Sequence, residues 1–204
     1  MARDDRAGGR VRAFVAVDLE PPVRGEIAAT TEELRAAGGD VRWAQAENLH
    51  VTLKFLGSVA AERLTAVRAA LERVAADAAP FELTVKGLGT FPSAERARVV
   101  WVGFVAGRLG ALAQRVDAEL AAVGFPLEGR PFTPHVTIGR VRGARGWSRV
   151  LAAMAPHGDK VFGCSGVADI VLYRSDLHPQ GARYTALDRF GLAGADGVRT
   201  SSMR

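Results

Sequence analysis

The strongest constraint on the fold of this chain is a pattern that recurs after 85 residues. The phrase His-Val-Thr stands at residues 50–52 and again at residues 135–137, in a chain with only four histidines. At the same offset the apolar run FVAVDL falls on VVWVGF, and Gly39 falls on Gly124. Side-chain identity between the halves is low elsewhere, so it is the order and spacing of elements that indicates an internal duplication.

Hydrophobic periodicity and turn residues predict a similar succession of elements in both halves. Strands are predicted at residues 11–19, 41–43, 49–57, 81–89, 97–105, 134–142, 167–177 and 182–190. Helices are predicted from Pro21 to about Ala37, from about Ala60 to Ala78, over residues 108–123, and near residues 147–155. We expect one bilobal domain over residues 11–192, with residues 1–10 and 193–204 as flexible tails.

Composition indicates a protein with a substantial core and an anionic partner. The 204 residues are 48% hydrophobic, which is enough to bury such a core. The net charge of +5 favours an anionic ligand. A group of arginines follows the second His-Val-Thr phrase directly: Arg140, Arg142, Arg145 and Arg149. The alternative interpretation of these residues is a solvated arginine-rich surface.

The remaining features of the composition concern the protein's setting. Cys164 is the single cysteine and cannot form an internal disulfide, and the first ten residues lack the apolar run of a secretory signal. No stretch has the roughly 18 to 20 uninterrupted apolar residues of a membrane span. We expect a cytoplasmic monomer that does not enter a membrane.

Each His-Val-Thr phrase places one imidazole and one hydroxyl on the same face of a strand, with the valine directed toward the core. If the halves pack about a pseudo-twofold axis, the two strands form a cleft with two imidazoles and two hydroxyls. One neutral imidazole can then remove a proton while a protonated one supplies a proton. The hydroxyls can donate hydrogen bonds to phosphoryl oxygens. The pattern therefore predicts phosphoryl transfer without a metal.

The phrase has two other interpretations. A single His-x-Thr on a strand is usually ordinary surface, but two copies at equivalent positions of a repeat favour a function. A zinc site needs three or four converging ligands, whereas Cys164 lies elsewhere and neither phrase has an adjacent carboxylate. We expect no metal and no other cofactor.

The flanking residues carry a resemblance to a known family. The segments WAQAENLHVTLKFLG and GRPFTPHVTIGRVR resemble the twin HxTx motifs of the two-histidine phosphoesterases. Within that superfamily the chain is similar to the RNA 2′,3′-cyclic phosphodiesterases, also called LigT-like or 2′-5′ RNA ligase proteins, from FVAVDL to the closing DIVLYRSDLHPQGARYTALDRF. The resemblance implies an α+β fold of two pseudo-symmetric lobes, with antiparallel sheets lining a central cleft and helices outside.

The resemblance also implies a reaction and its residues. The reaction is hydrolysis of a terminal 2′,3′-cyclic phosphate of RNA to a 2′-phosphate, with tRNA fragments or small cyclic nucleotides among the possible substrates. His50 would be the proton donor and His135 the proton acceptor, while Thr52 and Thr137 would hold the phosphate. The sequence itself does not distinguish the two histidines. Ligation of a cyclic end to a 5′-hydroxyl, and non-catalytic binding of RNA ends or nucleotides, stay open as alternatives.

Three basic residues near the phrases are further candidates for binding substrate. Alternation along the strand puts Lys54 on the face of His50 and Thr52. Arg140 would point away from the cleft in a regular strand, but a bulge at Gly139 could turn it inward. Arg130, just before the second phrase, could reach the anion.

Aromatic rings and the other two histidines complete the set of candidates. Phe132, Phe55 and Tyr184 could stack on a base or belong to the core. His157 and His178 lie in segments flanked by proline and glycine and match no family motif, so we interpret both as surface residues.

Overall fold

The computed structural model describes residues 9–105, 107–178 and 181–193. Within these ranges the strands are β1 (Arg10–Asp18), β2 (Val41–Trp43), β3 (His50–Ala60), β4 (Phe81–Phe91), β5 (Val99–Phe104), β6 (His135–Val141), β7 (Val161–Val167), β8 (Asp169–His178) and β9 (Gly181–Gly191). The helices are α1 (Pro21–Ala36), α2 (Leu64–Asp77), α3 (Leu109–Ala122) and α4 (Trp147–Met154).

The strands form one curled antiparallel sheet whose order is symmetric about its centre. The order is β7-β4-β5-β6-β3-β1-β8-β9, with β2 paired to the free part of β6. The two central strands, β3 and β6, are the ones that begin with the two His-Val-Thr phrases. Outward from the centre, β1 corresponds to β5, β8 to β4 and β9 to β7. The phrases therefore meet at the middle of the sheet.

The helices cover one face of the sheet and leave the other for the cleft. Helices α2 and α3 pack on each other and reach β3, β8 and β9, whereas α1 packs against β7 and α4. Each helix buries an apolar stripe at helical spacing, such as Val67, Leu71 and Val74 of α2. The predicted α+β architecture, with antiparallel strands and helices outside, is confirmed.

The structure extends the predicted domain slightly at both ends. Strand β1 begins at Arg10, whose guanidinium donates to Ser58 Oγ over 2.8 Å, and the amide of Ala193 donates to the carbonyl of Ala75 over 3.0 Å. The predicted tails otherwise lie outside the described residues. The domain bounds 11–192 and the duplication remain a proposal, supported by the symmetric strand order.

Strand β8 is longer than predicted, because its last residue, His178, pairs with Gly181 at the start of β9. The sequence pattern predicts a loop at His178 instead. Among the described residues, none of the helices is long and apolar enough to cross a membrane.

Candidate active site

The site forms where the two central strands meet. Val51 of β3 pairs with Val136 of β6, and both side chains are fully buried in the core. Because side chains alternate along a strand, the residues on either side of each valine occupy the opposite face of the sheet. The antiparallel register continued by one residue sets His50 opposite Thr137 and Thr52 opposite His135. Two imidazoles and two hydroxyls thus share one face.

Both imidazoles are oriented by the same contact, between Nδ1 and the backbone carbonyl two residues earlier. His50 Nδ1 lies 2.8 Å from the carbonyl oxygen of Asn48, and His135 Nδ1 lies 2.8 Å from the carbonyl oxygen of Thr133. A carbonyl oxygen only accepts, so Nδ1 carries a hydrogen in each ring and Nε2 is the atom left for chemistry. His50 Nε2 is 3.1 Å from Thr52 Oγ1.

The surroundings of the two imidazoles differ. The His50 ring lies between aromatic rings. Its centroid is 4.8 Å from that of Phe14 and 5.1 Å from that of Tyr184, whose ring is perpendicular to it. His135 meets the ring of Phe91 edge-on at 5.1 Å. The two His-Val-Thr phrases do not distinguish the histidines in sequence. In the structure they differ, because more aromatic rings pack around His50 than around His135.

Burial among these rings lowers the pKa of His50, because the charged imidazolium loses its hydration. The hydrogen bond to the Asn48 carbonyl and the charge of Asp18 act in the opposite direction, and a charge on His135 lowers the pKa of His50 further. In the free protein His50 therefore loses its proton more readily than an exposed imidazole does.

A polar network lies beside His50 that sequence reasoning did not find. Asp18 is the cross-strand partner of His50; it accepts hydrogen bonds from the Tyr173 hydroxyl and from Arg189, each over 2.7 Å. Burial, and then the neighbouring carboxylate, raise the pKa of Tyr173, so its hydroxyl stays protonated and donates. Alternation in FVAVDL puts Phe14 and Asp18 on one face, which was the available signal.

The half of the site around His135 is built on an indole ring. Trp101 is the cross-strand partner of Thr137, and its ring packs 5.2 Å from that of Phe91. The indole lies over Gly89 and Gly103, where an added Cβ would collide with it. These two glycines allow Trp101 to support Phe91, which in turn contacts His135.

The expectation that Lys54 shares the face of His50 and Thr52 is wrong. In the pairing with β1, Ala16 faces Thr52 and Val15 faces Lys54, so Leu53 is an extra residue that forms a β-bulge. The bulge turns Lys54 to the helix side, where it is 2% exposed. Its ammonium is ion-paired with Asp117 of α3 and donates to the carbonyl of Pro126 over 2.7 Å. Lys54 is therefore absent from the face that carries the two imidazoles.

A bulge at the equivalent position of β6 turns Arg140 toward the site face. Val100 faces Gly139 and Trp101 faces Thr137, which makes Ile138 the extra residue. Ile138 is buried in the core, and Arg140 is exposed on the face of Thr137. The bulge lies one residue before the predicted position.

The other candidate residues divide between the site and its surroundings. Phe55 is on the site face, 60% exposed, with its ring 6.0 Å from Phe14. Phe132 is half-buried and packs against the core, while Arg130 is exposed in the segment before β6. Tyr184 contacts His50 as described above.

The two histidines interpreted as surface residues lie apart from the imidazole pair. His157 Nε2 lies 3.1 Å from a carboxylate oxygen of Glu33 in α1, and His178 is exposed at the end of β8. In the part of the chain that the structure describes, no cluster of three or more histidine, cysteine, aspartate or glutamate side chains could hold a metal ion.

Comparison with known families agrees with this geometry. The family described as LigT like phosphoesterase matches residues 17–101 and 104–184. The chain belongs to this family. The two matched ranges each contain one His-Val-Thr phrase.

Members of the family are similar over nearly the whole chain. An RNA 2′,3′-cyclic phosphodiesterase from Methanothermobacter thermautotrophicus is 34% identical over 184 residues, covering 90% of this chain and 100% of that protein. The protein of the same description from Archaeoglobus fulgidus is 35% identical over 181 residues, covering 88% and 99%.

Solved structures give the same result for the fold. A protein from Thermus thermophilus superposes with a TM-score of 0.76 at 30% identity, covering 90% of this chain and 98% of that one. Escherichia coli LigT complexed with 3′-AMP superposes with a TM-score of 0.72 at 30% identity and the same coverage. The predicted bilobal two-histidine phosphoesterase fold is confirmed.

Proposed function

We propose that this chain is an RNA 2′,3′-cyclic phosphodiesterase that hydrolyses the terminal cyclic phosphate to a 2′-phosphate by acid and base catalysis between His50 and His135, without a metal. The observation that carries the proposal is the paired His-Thr arrangement on the two central strands, with both imidazoles fixed through Nδ1. The curated relatives are described by this activity.

The reaction needs a proton removed on one side of the phosphorus and supplied on the other. Water attacks the phosphorus as one imidazole takes its proton, and the bond from phosphorus to O3′ breaks as the other imidazole protonates that oxygen. The entering and leaving oxygens are roughly in line in such a displacement. His50 and His135 stand on opposite sides of the Val51–Val136 pair, which suits this geometry. The hydroxyls of Thr52 and Thr137 donate to the non-bridging oxygens.

The family resemblance makes His50 the donor, although burial lowers the pKa of its imidazole in the free protein. The two are reconciled by the substrate's own charge. A cyclic phosphate monoanion beside the ring favours the imidazolium and raises the pKa of His50. Binding of the substrate therefore favours protonation of His50, the acid, and His135 acts as the base toward water.

The test is end analysis of an RNA carrying a 2′,3′-cyclic phosphate after incubation with the protein in EDTA. We expect a 2′-phosphate product, formed at the same rate with EDTA as without it. His50→Ala and His135→Ala should each lose nearly all turnover, and His157→Gln, which changes a histidine bound to helix α1, should keep it. An unchanged cyclic end, a 3′-phosphate or dependence on metal would contradict the proposal. If the protein joined the cyclic end to an added 5′-hydroxyl RNA faster than it hydrolysed that end, the chain would be identified as a ligase.

We further propose that the protein works as a monomer in the cytoplasm, on RNA ends such as tRNA fragments. The single cysteine, Cys164, is an exposed free thiol, which suits a reducing setting. Sedimentation equilibrium at micromolar concentration tests the monomer, and a dimer mass would contradict it.

A further inference from the structure

Arginines at the end of β6 and at the facing turn before β5 are exposed and free of internal partners. Within the described ranges, Arg96, Arg98 and Arg142 form no side-chain hydrogen bond or ion pair. Exposed arginines on the helices behave differently, since Arg73 is paired with Glu119 and Arg115 with Asp77. Guanidiniums that no carboxylate neutralises are available to an external anion.

These residues line a groove of about 570 Å³. The walls of this arginine groove are Pro92, residues 95–98, residues 141–144 and Trp147. Three guanidiniums face a single carboxylate, that of Glu95. A hydrogen bond from Ser93 lowers the pKa of Glu95, so the carboxylate stays charged, and the lining keeps a positive excess of two. Asp40 lies against Gly143 at one end and reduces this excess locally.

The arginine groove begins one residue along the chain from a ring of the catalytic site. Pro92 follows Phe91, whose ring contacts His135. The bulge at Ile138 puts Arg140 on the face of Thr137, and Arg142 follows two residues later, directly after the end of β6. A step of two residues along a strand is about 6.8 Å, which is comparable with the separation of neighbouring phosphates in an extended single strand. Arg140 and Arg142 thus place positive charges at about this interval along the chain, leading away from His135.

The aromatic ring in the lining, that of Trp147, suits a base rather than a purely ionic ligand. Trp147 is half-buried, with its indole N–H donating to the Ala94 carbonyl over 2.8 Å, so one edge of the ring is fixed. Positive grooves that include aromatic side chains bind single-stranded nucleic acid by combining phosphate contacts with stacking. An acidic peptide would use the charges and leave the ring without a role.

We propose that the arginine groove binds the nucleotides that precede the cyclic end, so that the enzyme acts on single-stranded oligoribonucleotides in preference to cyclic mononucleotides. This inference rests on the proposed function. Arg98 and Arg142 contact phosphates upstream of the scissile one, and the terminal nucleotide alone does not reach them.

The experiment compares a 2′,3′-cyclic mononucleotide with a four-nucleotide single strand ending in the same nucleotide. In the native protein kcat/KM is higher for the oligonucleotide. The double variant Arg98→Gln, Arg142→Gln raises KM for the oligonucleotide about tenfold, with kcat retained and little change for the mononucleotide. The double variant Arg73→Gln, Arg115→Gln removes the same charge from the helices and has no such effect.

Binding is measured separately in the His135→Ala background, by fluorescence anisotropy of the labelled oligonucleotide at several salt concentrations. Loss of two phosphate contacts lowers the slope of log K against log salt by about 1.4. Equal KM for both substrates, or an unchanged slope in the groove variant, overturns the proposal. Displacement by polyglutamate as efficient as by oligonucleotide assigns the groove to an acidic protein instead. If mononucleotide hydrolysis persists in these cases, the proposed function stands and the groove assignment alone fails.

Discussion

Replacing Lys54 with methionine separates a structural from a phosphate-binding role for this residue. Methionine has a side chain of similar length and fills the same buried space. Of the partners that the described residues give the Asp117 carboxylate, which is 20% exposed, the change leaves the backbone N–H of Glu128 at 3.2 Å. It also removes the donor to the Pro126 carbonyl. Breaking a buried pair typically costs 3 to 5 kcal/mol, and partial access of water to Asp117 places the expected loss at about 3 kcal/mol.

The loss is measured by urea unfolding and by thermal melting. For a domain of this size about 3 kcal/mol corresponds to a drop in Tm of roughly 6 to 12 °C. The matched control is Lys86→Met on β4, where an exposed lysine lies 3.8 Å from Asp159. That exposed pair contributes at most about 1 kcal/mol, so the control should melt close to the native protein. Adding Asp117→Leu to Lys54→Met should recover part of the loss, since no unpaired charge then remains buried.

Kinetics at 25 °C complete the test. Because Lys54 lies on the helix side of β3, KM and its salt dependence should be unchanged in the folded variant. A Tm equal to that of Lys86→Met, accompanied by a raised KM, would refute the reasoning and return Lys54 to the phosphate site.

Three predictions concern the catalytic face. His50→Ala and His135→Ala should each lower kcat by roughly a hundred- to ten-thousand-fold, with circular dichroism unchanged, because each removes a proton-transfer group. Thr52→Val and Thr137→Val should each cost about 1 to 3 kcal/mol of transition-state stabilisation in kcat/KM, whereas serine at either position should retain much of it. The profile of kcat/KM against pH should be a bell, and Tyr184→Ala should raise the pKa of His50, because water reaching the ring restores hydration to the imidazolium.

Each of these predictions has a contradicting outcome. Native rates in both folded histidine variants would remove the acid and base assignment. Equal activity of the valine and serine variants would make the hydroxyls structural. A pKa of His50 that stayed in place or fell in Tyr184→Ala would show that burial does not lower it in the native protein. The two limbs report the coupled pair of imidazoles, so the shift is assigned by histidine NMR titration.

Much of the site follows from strand periodicity alone. A period of two places His50 with Thr52 and His135 with Thr137, and the recurrence after 85 residues predicts that the two pairs meet. Periodicity fails one residue later, because the bulges at Leu53 and Ile138 arise from pairing with neighbouring strands. For that reason periodicity predicts the wrong face for Lys54.

The network beside His50 illustrates a second limit. Tyr173 lies 155 positions after Asp18 in the chain, and their hydrogen bond depends on β8 pairing with β1. No local pattern in the sequence specifies which distant strand closes that edge. The unequal environments of the two histidines have the same origin, since the rings around His50 come from β1, β8 and β9.

The strand order decides how the chain could be divided. Strand β4 belongs to the first half of the chain but pairs with β5 and β7 of the second half. Strands β8 and β9 come last in the chain but lie in the half of the sheet that contains β1 and β3. A cut between residues 91 and 99 would separate β4 from its partners and deprive the first segment of β8, with Tyr173 and its hydrogen bond to Asp18. Neither fragment would contain a whole half-sheet, so activity should return only when both fragments are present together. The site is thus a property of the interleaved chain, because neither half of the sheet is built from one continuous segment.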